Sequence, residues 1–312
     1  MTALPAGRRL AAVVLLAVAN FAIAACGSNG AEPAATAASC PVTPLKVAVT
    51  TNVWGSVVDQ LAGACAEVTT LITSPTADPH DFEPTAADSA TIAGSAILVI
   101  NGLGYDAWAT KIVSSLGSTQ PTVIDLGQVV GLSVGANPHI WYSPDYVAQS
   151  AAAITSIFKQ KLPSAANQFD SSAGAFKSAL GPYRDQVAAI KSKFSGTNIG
   201  ATESVFDYMA QATGLVVTTP DAFRLAEAKG TDPTAQSVAT FSDQLTNGTD
   251  KVLIFNTQTQ GGLPTQMRQT ATNSHVPIVE VTETLTPANA TFQEWQLRQL
   301  QALWTALGGN KS

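Results

Sequence analysis

A chain of 312 residues has room for two ordinary domains, and this one carries 16 basic against 22 acidic side chains, a net charge of −6. With no Lys/Arg cluster, that balance argues against nucleic acid as a partner. After the first 25 residues no second long apolar run occurs, so nothing in the remainder is expected to span a membrane.

At the N-terminus Arg8 and Arg9 precede residues 10–25, an uncharged, Ala-rich apolar stretch of export-signal rather than membrane-span length. It ends Ile23-Ala24-Ala25-Cys26, which reads as a bacterial lipobox with Cys26 acylated as the first mature residue; a plain signal peptide is the alternative. Residues 27–39 are Gly, Ser, Asn, Ala, Thr and Pro with one Glu, a composition that suits a flexible tether and not a core. We therefore expect a leader over 1–25 and a tether over 26–40. Cys40 and Cys65 flank the first expected strand and helix. In an oxidising compartment they can bridge; the alternative is two separate thiols, one of them buried. Export favours the bridge.

Strands are expected over 45–50, 68–72, 96–100 and 122–126, then over 198–202, 215–218, 252–256 and 277–281. Several are short continuous apolar runs, the pattern of strands buried on both faces of a parallel sheet. Helices are expected over 53–62, 86–94, 105–116, 144–161, 203–213, 234–245, 264–273 and 291–307. Such alternation implies an α/β class. The middle breaks the rhythm. Ala165, Phe169, Ala173, Phe176, Leu180, Tyr183, Val187 and Ile190 recur every three or four residues, which reads as one long amphipathic helix with a kink or break at Gly181-Pro182. The expected architecture is thus two Rossmann-like α/β lobes with mostly parallel sheets, over 41–161 and 195–312, joined by a rigid linker helix over 162–194.

Two of the three histidines lie in near copies of one hexapeptide, Ala77-Asp78-Pro79-His80-Asp81-Phe82 and Ala136-Asn137-Pro138-His139-Ile140-Trp141. Each is expected to follow a strand after a short loop. Proline stiffens the chain before the histidine, the aromatic can pack the loop, and Asp78 or Asn137 can bond nearby amides as a turn residue. A histidine held this way is pre-positioned, as a metal ligand must be. His275 lacks that context and reads as an exposed loop residue.

In open α/β sheets ligands bind at the carboxyl ends of strands. Glu203 opens the helix after the fifth expected strand, and Glu283 follows the eighth. An acid at a helix N-terminus is favourable without any ligand, and Glu283 can be a solvated loop acid. What sets them apart is that all four candidates follow strands, two in each lobe.

The chain resembles the metal-binding solute-binding proteins of bacterial ABC importers for zinc and manganese, the ZnuA/TroA-like family. Asp78-Pro79-His80-Asp81-Phe82-Glu83-Pro84-Thr85 is similar to the family segment that supplies a first ligand, and Asn137-Pro138-His139-Ile140-Trp141 to the segment that supplies a second. Ala201-Thr202-Glu203-Ser204-Val205-Phe206-Asp207-Tyr208 resembles the third, and Thr282-Glu283-Thr284 lies where the family usually places Asp. The resemblance implies a site of His80, His139, Glu203 and Glu283 that binds one Zn²⁺ or Mn²⁺ as transported ligand. It also implies an ABC importer permease as partner, a monomer, no enzymatic activity, and a lipid-anchored position at the outer face of the cytoplasmic membrane. Two features depart from the family: Glu stands for Asp at 283, and the His-rich loop of many zinc members is missing. Competing readings are a metal-containing surface adhesin, a metallohydrolase (although no H-E-x-x-H occurs) and an organic-solute binder.

Overall fold

The computed structural model describes residues 39–74, 82–259 and 261–310. The leader, Cys26 and His80 lie outside the described residues. The N-terminal lobe runs β1 (Leu45–Thr51), α1 (Asn52–Ala62), β2 (Ala66–Ile72), α2 (Ala86–Ala93), β3 (Ile97–Ile100), α3 (Ala107–Ser115), β4 (Thr122–Asp125), α4 (Leu126–Val129) and α5 (Pro144–Lys161). After α6 (Ala166–Ala179) and α7 (Gly181–Phe194) comes the C-terminal lobe. It runs β5 (Asn198–Ala201), α8 (Asp207–Thr213), β6 (Val216–Val217), α9 (Asp221–Glu227), α10 (Ala235–Thr246), β7 (Leu253–Asn256), α11 (Gly262–Asn273), β8 (Ile278–Val281) and α12 (Phe292–Ala306).

The sheets are ordered β2-β1-β3-β4 and β6-β5-β7-β8, with parallel neighbours throughout. One topology therefore occurs twice, and in each lobe the carboxyl ends of the central strands open at a change of winding direction. The apolar runs form strands because both faces are covered. Val47, Val49, Ile97 and Val99 face the large core, whereas Ala48, Leu98 and Ile100 face a second cluster with Ile92, Ala109 and Val113. This period-two split is what a buried strand requires.

The large core is continuous across both lobes, joining Val47, Trp54 and Trp141 to Ile254, Val281, Phe292 and Trp295. Hydrogen bonds reinforce it: Leu285 N–H donates to Asn52 Oδ1 at 3.1 Å, Phe292 N–H to Ser56 Oγ at 2.9 Å, and Tyr142 O–H to the Thr282 carbonyl at 2.8 Å. Cys40 and Cys65 are bonded, with Cα atoms 4.9 Å apart, tying the start of the described chain to the far end of α1. Among the described residues no helix is long and apolar enough to cross a membrane.

Each expected strand has a counterpart. The expected linker helix breaks at Gly181-Pro182, as its sequence suggests, into two helices, α6 and α7, abutting at Leu180. Pro182 has no N–H to give and its ring crowds the preceding turn, so the helix restarts there. The sequence did not signal α4 or α9, a single turn and a seven-residue helix, because neither is long enough to show periodicity. Glu203 does not open a helix: α8 begins at Asp207, and Asp207 N–H closes a turn on the Ser204 carbonyl at 3.2 Å.

Candidate metal centre

His139 sits farther from its strand than the sequence suggested. After β4 the chain makes the α4 turn and a loop before reaching it, just ahead of the 3-10 turn Ile140–Tyr142. Asn137 holds it as a turn residue. Its Oδ1 accepts His139 N–H at 3.0 Å and lies 2.7 Å from His139 Nδ1. Asn137 Nδ2 donates to the Ser204 carbonyl at 2.7 Å, so the amide cannot be reversed. Nδ1 must then carry the proton, which leaves the lone pair of the neutral ring on Nε2. Trp141 packs edge-on against the imidazole, with ring centroids 5.3 Å apart.

Glu203 and Glu283 each lie two residues beyond a strand, after β5 and β8. Asn256, the last residue of β7, stands between those strands. Its Nδ2 donates to Glu203 Oε1 and, at 2.9 Å, to Glu283 Oε1; Thr259 Oγ1 is a third neighbour at 3.0 Å. Asn256 Oδ1 accepts Gln258 N–H at 3.0 Å, which fixes the orientation of this amide too. The Gln258 side chain in turn accepts the backbone N–H of Glu283 and, at 3.1 Å, that of Thr284. From the other lobe Tyr105 O–H donates to Glu283 Oε2 at 2.9 Å.

The result is a buried cluster. His139 is 0% exposed and both glutamates 2%. Glu283 Oε2 lies 3.4 Å from His139 Nε2, and one ligand atom from each of the three residues falls within 4.8 Å of the others. Two carboxylates so close and so buried repel, and a divalent cation relieves both the repulsion and the desolvation. One imidazole nitrogen with carboxylate oxygens suits a first-row divalent metal.

Two further residues, Asp207 and His275, lie outside this cluster. Asp207 pairs with Arg224 and approaches Asn137 Nδ2 at 3.4 Å; burial raises its carboxyl pKa and Arg224 opposes that rise. His275 is exposed between α11 and β8. The sequence reading missed Tyr105 and Asn256. A signal for Asn256 existed, because the run Val252-Leu253-Ile254-Phe255 ends in a polar residue at the carboxyl end of a buried strand. Tyr105 follows Gly102-Leu103-Gly104, all with positive φ, a turn that carries it back over the site. Any side chain at Gly102 would collide with the Asp125 carboxylate.

Two parallel-sheet lobes enclosing a buried imidazole and carboxylate cluster define a metal-binding solute-binding protein. Residues 47–306 match the family described as zinc-uptake complex component A, periplasmic, and the chain belongs to that family. That description is of an extracytoplasmic component of metal uptake. The chain is 23% identical over 179 residues to the manganese-binding lipoprotein MntA of Halalkalibacterium halodurans, a match covering 54% of this chain and only 58% of that protein. It is 26% identical over 219 residues to the iron-binding protein YfeA of Yersinia pestis, covering 66% and 69%. The solute-binding protein FpvC of Pseudomonas aeruginosa, solved in complex with Mn²⁺, superposes with a TM-score of 0.70 at 22% identity, covering 85% of this chain and 98% of that one. At that identity the likeness speaks for the fold.

Proposed function

We propose that this protein captures one zinc or manganese ion between its lobes and hands it to an ABC importer permease, while a lipid on Cys26 holds it at the outer face of the cytoplasmic membrane. The buried cluster of His139, Glu203 and Glu283 carries this reading. His80 is the fourth ligand we propose, on the strength of its near copy of the His139 segment. The neutral Nε2 of His139 binds the ion, and the glutamates neutralise its charge. Protons compete for the same nitrogen, so affinity falls as the solution is acidified. The continuous core under both lobes favours capture through small local movements.

The test is calorimetric titration of Zn²⁺ and Mn²⁺ into the metal-stripped protein and into His80→Ala, His139→Ala, Glu203→Ala and Glu283→Ala. One tight ion per chain, weakened by every substitution, is the expected result. Absence of binding, or binding indifferent to His139, overturns the reading. Lipidation is read separately, by incorporation of a labelled fatty acid that Cys26→Ala abolishes.

A further inference from the structure

We infer that Arg224 of α9 is a positioning residue for the metal site: it acts on His139 through Asp207 and Asn137, and strengthens the hold on the ion without touching it. The inference rests on the metal-capture reading above. A histidine ligand owes its orientation and basicity to the partner of its other ring nitrogen, and that partner depends on its own neighbours. For His139 the partner is Asn137 Oδ1, 2.7 Å from Nδ1.

An amide nitrogen carries two hydrogens, and Asn137 Nδ2 has two acceptors, the Ser204 carbonyl at 2.7 Å and Asp207 Oδ2 at 3.4 Å. The second bond is long, so its strength depends on the charge and aim of the carboxylate. Arg224 governs both. Its Nη1 pairs with the same Asp207 Oδ2, while Nε and Nη2 donate to Asp221 Oδ1 at 3.1 and 2.6 Å and fix the other side of the guanidinium. Asp207 Oδ1 is buried without a hydrogen-bond partner, so the carboxylate is held through Oδ2. Burial raises the Asp207 carboxyl pKa, and Arg224 is the largest effect opposing that rise. Guanidinium, carboxylate, amide and imidazole thus form one hydrogen-bonded chain from α9 to the metal ligand. The backbone around it has separate anchors: Asp207 N–H donates to the Ser204 carbonyl at 3.2 Å, and Tyr208 O–H to the Asn137 carbonyl at 3.0 Å. Removing Arg224 therefore releases the Asp207 side chain and leaves the loop in place.

Charge alone predicts the opposite sign. Arg224 is a cation, and its loss would favour a divalent cation through Coulomb attraction. Positioning predicts weaker binding instead. Zn²⁺ and Mn²⁺ are titrated into the metal-stripped protein, Arg224→Ala, Arg224→Lys, Asn137→Ala and the Arg224→Ala/Asn137→Ala double variant. Arg224→Gln, which keeps most of the stem without the charge, replaces the alanine variant if circular dichroism finds the latter unfolded. We expect Arg224→Ala to lower affinity about tenfold, the low end of outer-shell effects. Arg224→Lys recovers part of the loss by restoring a cation beside Asp207. Once Asn137 is Ala, removing Arg224 costs nothing more, because the amide through which it acts is gone. Affinity unchanged or raised in the Arg224 variant, or an equal loss with and without Asn137, overturns the role of Arg224 and leaves the capture reading standing. A native protein that binds neither ion overturns the capture reading and this inference with it.

Discussion

Asn137 Oδ1 lies 2.7 Å from His139 Nδ1 and 3.0 Å from the backbone nitrogen of the same histidine. One oxygen thus takes both donors on that side of the residue, and the imidazole presents Nε2 to the two glutamates. The pairing is local in sequence, but its orientation is set from the other lobe, where the Ser204 carbonyl holds Asn137 Nδ2 at 2.7 Å. Replacing Asn137 by Ala should free the ring to rotate and change tautomer. Metal affinity should drop about 10- to 100-fold while the unfolding midpoint of the metal-free protein changes little. Titration calorimetry beside thermal denaturation separates the two effects.

Asp106 gives a pH dependence of known sign. It accepts hydrogen bonds from the Thr50 hydroxyl at 2.7 Å and from the N–H groups of Asn101 and Gly102 at 2.6 and 2.9 Å. Burial nevertheless pushes its carboxyl from 3.8 up to about 6, with those bonds acting in the opposite direction. A carboxyl raised in the folded state takes up a proton on folding. Its contribution is fully present below 3.8, declines as pH rises towards about 6, and is then lost. The unfolding free energy of the native protein, measured against Asp106→Asn in urea from about pH 4 to about pH 7, should fall relative to the variant by up to about 3 kcal/mol. A flat difference would contradict the burial argument.

The Cys40–Cys65 bond closes a loop with a sequence separation of 25. Its loss should destabilise the fold by about 3 kcal/mol through the freedom returned to the unfolded chain. Metal affinity should survive, because the eleven residues of α1 separate Cys65 from Asn52 and the site end of β1 by about 16 Å. Urea denaturation and metal titration with and without reductant check both halves of this prediction.

The shared core predicts little domain motion. Trp54 and Trp141 pack into the same cluster as Phe292 and Trp295, and Gln60 and Gln293 exchange hydrogen bonds of 2.8 and 3.2 Å across the lobes. Opening a wide hinge would expose those side chains at about 25 cal/mol per Å² of apolar surface. Solution scattering from metal-free and metal-loaded protein should therefore superimpose; a clear compaction on loading would show that the core parts.

Much of the architecture is legible in the sequence. Runs such as Val47-Ala48-Val49 and Ile97-Leu98-Val99-Ile100 are apolar at every position because both sheet faces are covered, so their composition alone marks them as strands. The paired Pro-His segments are equally local, and the turn that Asn137 makes on His139 is written within three residues. Glu203 was placed after the correct strand but in the wrong local structure, since nothing within the chain nearby announces that Asn137, 67 positions away, takes the Ser204 carbonyl.

The convergence belongs to the tertiary structure. Tyr105 and Glu283 meet across 178 positions, and Asn256 reaches Glu203 across 53. No periodicity or motif encodes those distances, because they follow from the strand order within each sheet and from the packing of one lobe on the other. Local chemistry chose which residues are able to bind an ion. Long-range packing decided which of their oxygens and nitrogens face one another, because only burial in a shared core can hold like-charged carboxylates close enough to need a cation.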